Sequence, residues 1–126
     1  MTKKSRSKKS RSKSWYGVRC IFVDAQNGPW GPHDLQPDEK FYEERITLWR
    51  AKSFKKAIAL AEAEAKSYAK DLECAYTGLA QAFRFDGKPQ QGTEVYSLLR
   101  QSALDVPEYL DHFFDTGAEV GGQIPG

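Results

Sequence analysis

Cysteine and histidine are scarce in this chain, and their scarcity limits the chemistry that it can support. Among its 126 residues there are two cysteines, Cys20 and Cys74, and two histidines, His33 and His112. The cysteines lie far apart and form no CxxC motif, so neither a zinc site nor a thioredoxin-like motif is predicted. Because a metal site would need ligands from unrelated segments, we expect no metal and no cofactor. We expect both thiols to be free, as in a reducing cytoplasm.

Long hydrophobic runs are also missing. The longest apolar stretch, residues 57–61, is far too short to span a bilayer. The basic N-terminus is followed by WYGVRC, in which a glycine and an arginine interrupt the apolar stretch that a secretory signal needs. These absences predict a soluble cytoplasmic protein with no membrane partner.

Acidic residues are absent from the first fourteen positions, which hold seven of the 19 lysines and arginines. The other twelve cations face 17 acids, so the rest of the chain carries a charge of about −5. Residues 1–14 offer almost nothing to bury, which predicts a disordered basic arm. The arm either confers solubility or contacts nucleic-acid phosphates, and we expect the acidic body to oppose a phosphate track. The candidate phosphate-contacting residues are Lys3, Lys4, Arg6, Lys8, Lys9, Arg11 and Lys13.

After the arm, the hydrophobic pattern first predicts two strands and a helix. Apolar residues alternate over 15–24 and again over 41–51, which is typical of strands. The stretch between them, 25–40, is rich in proline and glycine, so it is predicted to be a long surface loop whose role stays open. Ser53 then caps a helix whose apolar positions recur every three or four residues as far as Leu72.

The second half of the chain predicts two more strands and a short helix. The strands, 76–85 and 94–100, flank the turn sequence DGKPQQG. The helix begins near Asp105 and is expected to bury Leu110, Phe113 and Phe114. The order β-β-α-β-β-α predicts an α+β fold, in which a mostly antiparallel four-stranded sheet carries both helices on one face. We expect one domain over residues 15–119, followed by a flexible tail, 120–126.

Pairing of the first two strands predicts which residues cover the other side of the sheet. With Tyr16 opposite Leu48, the apolar residues of both strands share one face. The same register sets Trp15 opposite Trp49 on the reverse face. Exposed aromatic residues there indicate a partner-binding or self-association surface, unless a loop such as the one around Trp30 covers them. The candidate partner-binding residues are Trp15, Arg19, Glu43, Arg45, Trp49 and Tyr96.

Catalytic interpretations rest on Glu44 and the cysteines. Adjacent strand residues point to opposite faces, so Glu43 and Glu44 cannot act together on one bond. If Glu44 points into the core beside Cys20, it is either an acid with a raised pKa or the partner of a buried arginine. A dyad of a cysteine with His112 is possible in principle, but no nearby residue in the sequence activates the thiol. The sequence contains no motif of a known catalytic family, so we expect no catalytic residue.

Five segments carry a resemblance to a known family: WYGVRCIF, YEERITLWRAKSFKKAIALAEAEA, YTGLAQAF, GTEVYSLLR and YLDHFFDTG. Over residues 15–119 the chain resembles a family of small bacterial proteins known only as a domain of unknown function. The resemblance supports the predicted order of elements. It implies no substrate, cofactor or catalytic residue.

These observations favour a non-enzymatic protein-protein interaction module, adaptor or immunity-like, that acts through the aromatic-rich reverse face. Its partner would be another protein or a second copy of the chain. The alternative is a nucleic-acid-associated protein whose arm binds phosphates weakly and without sequence preference. A weaker alternative is a small enzyme that uses Glu44 or a cysteine.

Overall fold

The computed structural model describes residues 12–24 and 38–119 and has an α+β architecture, as predicted. Two antiparallel strands come first and are followed by a long helix, a third strand and a short helix. The short helix continues directly into a π-helical turn, Leu110–Phe114. The elements are β1 (Ser14–Asp24), β2 (Phe41–Ala51), α1 (Phe54–Leu72), β3 (Ala75–Arg84) and α2 (Val106–Tyr109).

Three predictions concern segments outside the described residues. They are the disorder of the arm as far as residue 11, the loop over 25–37 with its possible cover by Trp30, and the flexible tail. Within the described part of the chain, no helix is both long and apolar enough to cross a membrane.

The sheet has the strand order β2-β1-β3, with both pairs antiparallel. Its register corrects the predicted one by a single residue, because Tyr16 lies opposite Trp49 rather than Leu48. A one-residue slip moves every side chain of a strand to the other face. The even-numbered residues of β2 therefore lie on the reverse face, which is the sheet surface that points away from α1.

The core lies between the sheet and α1. On β1 the alternating residues Tyr16, Val18, Cys20 and Phe22 are buried, and Val18 and Phe22 are 0% exposed. On α1 the residues that meet them are small, which lets the helix approach the sheet closely. The buried helix residues are Ala57, Ala61, Ala65 and Ala69.

Local chemistry fixes both ends of α1. The predicted cap is confirmed, because the Ser53 hydroxyl accepts a hydrogen bond from the backbone N–H of Lys56 at 3.1 Å. At the other end Glu73 adopts the left-handed conformation, with φ of 59°, and its backbone N–H bonds the last carbonyls of the helix. The chain can then reverse directly into β3.

The predicted fourth strand is absent from the described residues, because 94–100 form no regular ladder. Val95 and Tyr96 instead lie across the reverse face. The Tyr96 ring packs 4.8 Å from that of Phe83, and its hydroxyl accepts a hydrogen bond from Arg19 at 2.7 Å. The Val95 carbonyl oxygen comes within 3.3 Å of where a Cβ on Gly17 would be. These side-chain contacts take the place of a strand ladder.

The chain divides into two compact units between Tyr96 and Ser97. In the second unit the Asp105 carboxylate accepts a hydrogen bond from the N–H of Glu108 at 3.1 Å, which confirms the predicted start of the helix. The prediction that Leu110, Phe113 and Phe114 are buried is wrong, since they are 44%, 40% and 73% exposed. Phe113 packs instead under the Arg100 guanidinium, at 4.4 Å. The prediction of one domain over 15–119 stays a prediction.

Candidate protein-binding surface

The reverse face presents a row of partly exposed apolar side chains along β2. Tyr42, Ile46 and Leu48 are 64%, 42% and 49% exposed. The prediction placed them in the core, and the observed register moves them to the opposite side of the sheet. Because β2 is at the edge of the sheet, this row borders backbone N–H and C=O groups that no other strand of the described chain bonds.

Arg19 organises the centre of the reverse face from β1. Its Nη1 donates to Glu44 Oε1 at 3.2 Å and to the Tyr96 hydroxyl at 2.7 Å, and its Nη2 donates to Gln81 Oε1 at 3.0 Å. The guanidinium carbon also lies 4.9 Å from the centre of the Tyr96 ring. The Arg19 side chain is 21% exposed, whereas that of Glu44 is 62% exposed. Arg19 is therefore held in place, and Glu44 remains accessible to a partner.

Three of the six predicted binding residues lie on the opposite side of the sheet. Glu43, Arg45 and Trp49 point toward α1 with the other odd-numbered residues of β2. Arg45 donates two hydrogen bonds to Glu64, at 2.7 and 2.8 Å. Glu43 accepts one from the Tyr68 hydroxyl at 2.7 Å. Acceptors and donors on α1 thus accommodate polar residues where the prediction placed Leu48 and Ile46.

Trp49 and Trp15 accordingly do not form one surface. Trp49 packs against the edge of the core, and its indole N–H donates to the Thr47 hydroxyl at 2.7 Å. Trp15 lies on the reverse face, directly opposite Arg50. Of the predicted binding residues, the structure brings Arg19 and Tyr96 into contact and places Trp15 near the end of the same face.

The residues proposed for catalysis are not brought together. Glu44 lies on the reverse face, whereas Cys20 is buried under α1, so the predicted proximity of the two is wrong. Burial raises the pKa of the Cys20 thiol and also that of Cys74, which keeps both protonated at neutral pH. His112 belongs to the second unit, where its ring packs 4.8 Å from Phe113. Across residues 12–24 and 38–119, no three His, Cys, Asp or Glu side chains are placed to hold a metal ion.

No protein-family model, no curated protein and no solved structure matches this chain. The resemblance to a family of small bacterial proteins therefore stays a prediction.

Proposed function

We propose that this protein is a non-enzymatic protein-binding module, and that it binds through the outer edge of β2 and the adjoining reverse face. The observation that supports this role is the row of Tyr42, Ile46 and Leu48 beside an edge that no other strand of the described residues pairs with. An extended chain that adds to such an edge gains backbone hydrogen bonds, and alternate side chains on the strand supply specificity. The role is adaptor-like, because the surface holds a partner and transforms nothing.

The edge of β2 suits pairing better than that of β3. The ladder between β1 and β2 runs without interruption over eleven residues. The ladder between β1 and β3 shifts register between Cys20 and Phe22, and Gly78 in that part of β3 has φ of 90°. A bulge of this kind bends a strand and discourages further pairing.

The partner that best fits β2 is a second copy of the same strand. If two copies pair antiparallel about Thr47, Glu44 of one copy lies opposite Arg50 of the other. In the same register Ile46 lies opposite Leu48, and the two-fold symmetry repeats each pair. Opposite charges and apolar residues across neighbouring strands each stabilise a sheet by about 0.2–1 kcal/mol. This register therefore matches both the charges and the apolar residues of the exposed row.

The proposed place of action is the cell interior. Cys20 and Cys74 are both free thiols. Free thiols persist in reducing compartments, whereas cysteines of small secreted proteins are usually paired.

Sedimentation velocity over a concentration series tests the self-association. The wild-type chain should form a dimer at high concentration. Leu48→Lys should raise the dimer dissociation constant by at least about tenfold, because it replaces the apolar residue opposite Ile46 with a cation, and lysine on an edge strand opposes pairing. Leu60→Lys is the matched control, since Leu60 is 45% exposed on α1 and its replacement changes charge equally.

Circular dichroism must first show that both variants keep the wild-type fold. A wild-type chain that stays monomeric at the highest concentration contradicts the proposal. So does equal weakening of the dimer by both substitutions.

A further inference from the structure

Basic side chains converge where β1 begins and β2 ends. Lys13, Arg50 and Lys88 line a cavity of about 410 Å³, together with Trp15. Lys13 and Arg50 also line a second cavity, of about 320 Å³, with Lys52 and Lys56. In the described part of the chain no acidic side chain lines either cavity. We call these five cations and Trp15 the basic end of the sheet.

The start of α1 adds to the positive potential of the basic end. The amino end of a helix carries a partial positive charge, which proteins commonly offset with acids in the first turn. The first turn of α1 contains no acid and instead carries Lys55 and Lys56. The positive charge at the amino end of α1 therefore favours binding of an anion from solution.

The basic end also continues directly into the arm. Lys13 is the last of the arm's seven cations, so the other six directly precede this cavity residue along the chain. Although the residues beyond the arm are acidic in total, four of their twelve cations line the cavities where the arm is attached. This distribution argues against the expectation that the body opposes a phosphate track. A long polyanion could contact both the arm and the cavities.

Trp15 indicates which kind of polyanion suits the basic end of the sheet. The arm contains no aromatic residue, whereas the larger cavity combines an indole with three cations. Unpaired bases stack on aromatic side chains while their phosphates contact lysine and arginine, and this combination is typical of sites for single strands. In a duplex the bases are stacked inside and do not reach a tryptophan in this way.

We propose that the basic end of the sheet binds single-stranded nucleic acid, with the lysines on the phosphates and Trp15 stacked against a base. The site goes beyond the protein-binding role and adjoins the apolar row on β2 at Arg50. Arg50 belongs to both surfaces, so the variants that test either proposal leave it unchanged.

Fluorescence anisotropy with a labelled oligothymidylate of about 12 nucleotides tests the site on the full chain, from about 50 to 200 mM salt. The variant Lys52→Ala/Lys56→Ala/Lys88→Ala should bind at least about tenfold more weakly. Its dependence of log affinity on log salt should be shallower by about 2, at roughly 0.7 per lost phosphate contact. The control Lys40→Ala/Lys66→Ala/Lys70→Ala removes the same charge from exposed positions elsewhere and should bind like wild type.

Trp15→Ala tests the stacking separately. It should weaken binding of the single strand about tenfold and leave the salt dependence unchanged, because stacking releases no counterions. Equal weakening by both triple variants would show a response to net charge alone and would overturn the site. Binding of a duplex as tightly as the single strand overturns the assignment to single strands. Binding of phosphatidylserine vesicles without binding of the oligonucleotide overturns the nucleic-acid proposal.

Discussion

At the scale of single residues, polar groups between the sheet and α1 determine which face of β2 points toward the helix. Arg45 is held by two hydrogen bonds to Glu64, and its guanidinium carbon lies 3.8 Å from the centre of the Tyr68 ring. Tyr68 in turn donates to Glu43, and its ring packs 5.0 Å from that of Phe22. These contacts connect the edge strand to the helix. Because the polar side chains involved are hydrogen-bonded to one another, their partial burial is tolerated.

The pKa of Tyr68 leads to a prediction about alkaline stability. Burial, with the hydrogen bond to Glu43, raises this pKa from 10 to about 12. A raised pKa means that the folded state holds the Tyr68 proton more tightly than the unfolded state does. The contribution of Tyr68 to the free energy of unfolding is therefore fully present below pH 10 and is lost as pH rises through 12. Between about pH 8 and pH 11, wild type should therefore lose of order 1 kcal/mol more free energy of unfolding than Tyr68→Phe.

Urea unfolding of both proteins at the two pH values measures this difference. All residues other than Tyr68 are the same in both proteins, so the comparison isolates the contribution of Tyr68. Parallel losses of stability in wild type and variant would contradict the assigned environment of Tyr68.

At the scale of elements, the bounds of the first three strands and of α1 follow from sequence, but the register of β2 does not. Both sets of alternate residues on β2 contain apolar side chains, with Tyr42, Ile46 and Leu48 in one set and Phe41, Trp49 and Ala51 in the other. Alternation alone therefore fits either face. Contacts with Glu64 and Tyr68, far along the chain, decide between them, and a pattern read within one strand contains no information about such contacts.

The segment after β3 shows the same difficulty. GTEVYSLLR has the composition of a strand, and the turn sequence before it predicts a hairpin. The missing side chain of Gly17 and the hydrogen bond that Arg19 donates to the Tyr96 hydroxyl favour a path across the sheet instead. Close approach of one backbone to another at a glycine is a property of the tertiary structure.

Gly17→Val tests this path. A Cβ at position 17 would lie 3.3 Å from both the Phe83 ring and the Val95 carbonyl oxygen, and the added methyl groups of valine would press further on them. Overpacking of this kind costs about 1–3 kcal/mol. Gly17→Ala should cost less, because its single methyl group needs only a small shift of its neighbours. In thermal unfolding, wild type should be the most stable protein, Gly17→Ala intermediate and Gly17→Val the least stable. A valine variant as stable as wild type would contradict the placement of Val95.

At the scale of the whole molecule, two kinds of surface were predictable to different degrees. The absence of acidic residues from the arm was evident from the sequence. An apolar reverse face was predicted too, but the predicted register placed Tyr42, Ile46 and Leu48 in the core instead of on it. The basic end of the sheet was not predicted, because Lys13, Arg50 and Lys88 are far apart along the chain and meet only through the pairing of β1 with β2 and with β3. Within the sequence itself, the run RAKSFKK was the available signal, with four cations and no acid around the cap of α1.

The central claim is that two copies of β2 pair antiparallel about Thr47, and oxidative cross-linking tests it most directly. Both variants carry Cys74→Ser, while Cys20 is retained because it is only 3% exposed. Thr47→Cys should form a disulfide-linked dimer, since residues directly opposite on antiparallel strands lie about 4.5–5.5 Å apart at Cα. Ile46→Cys should not, because the two copies of residue 46 would lie beyond the roughly 7 Å limit for a disulfide. Efficient linkage through position 46, or none through position 47 at concentrations where the chain dimerises, would contradict the account.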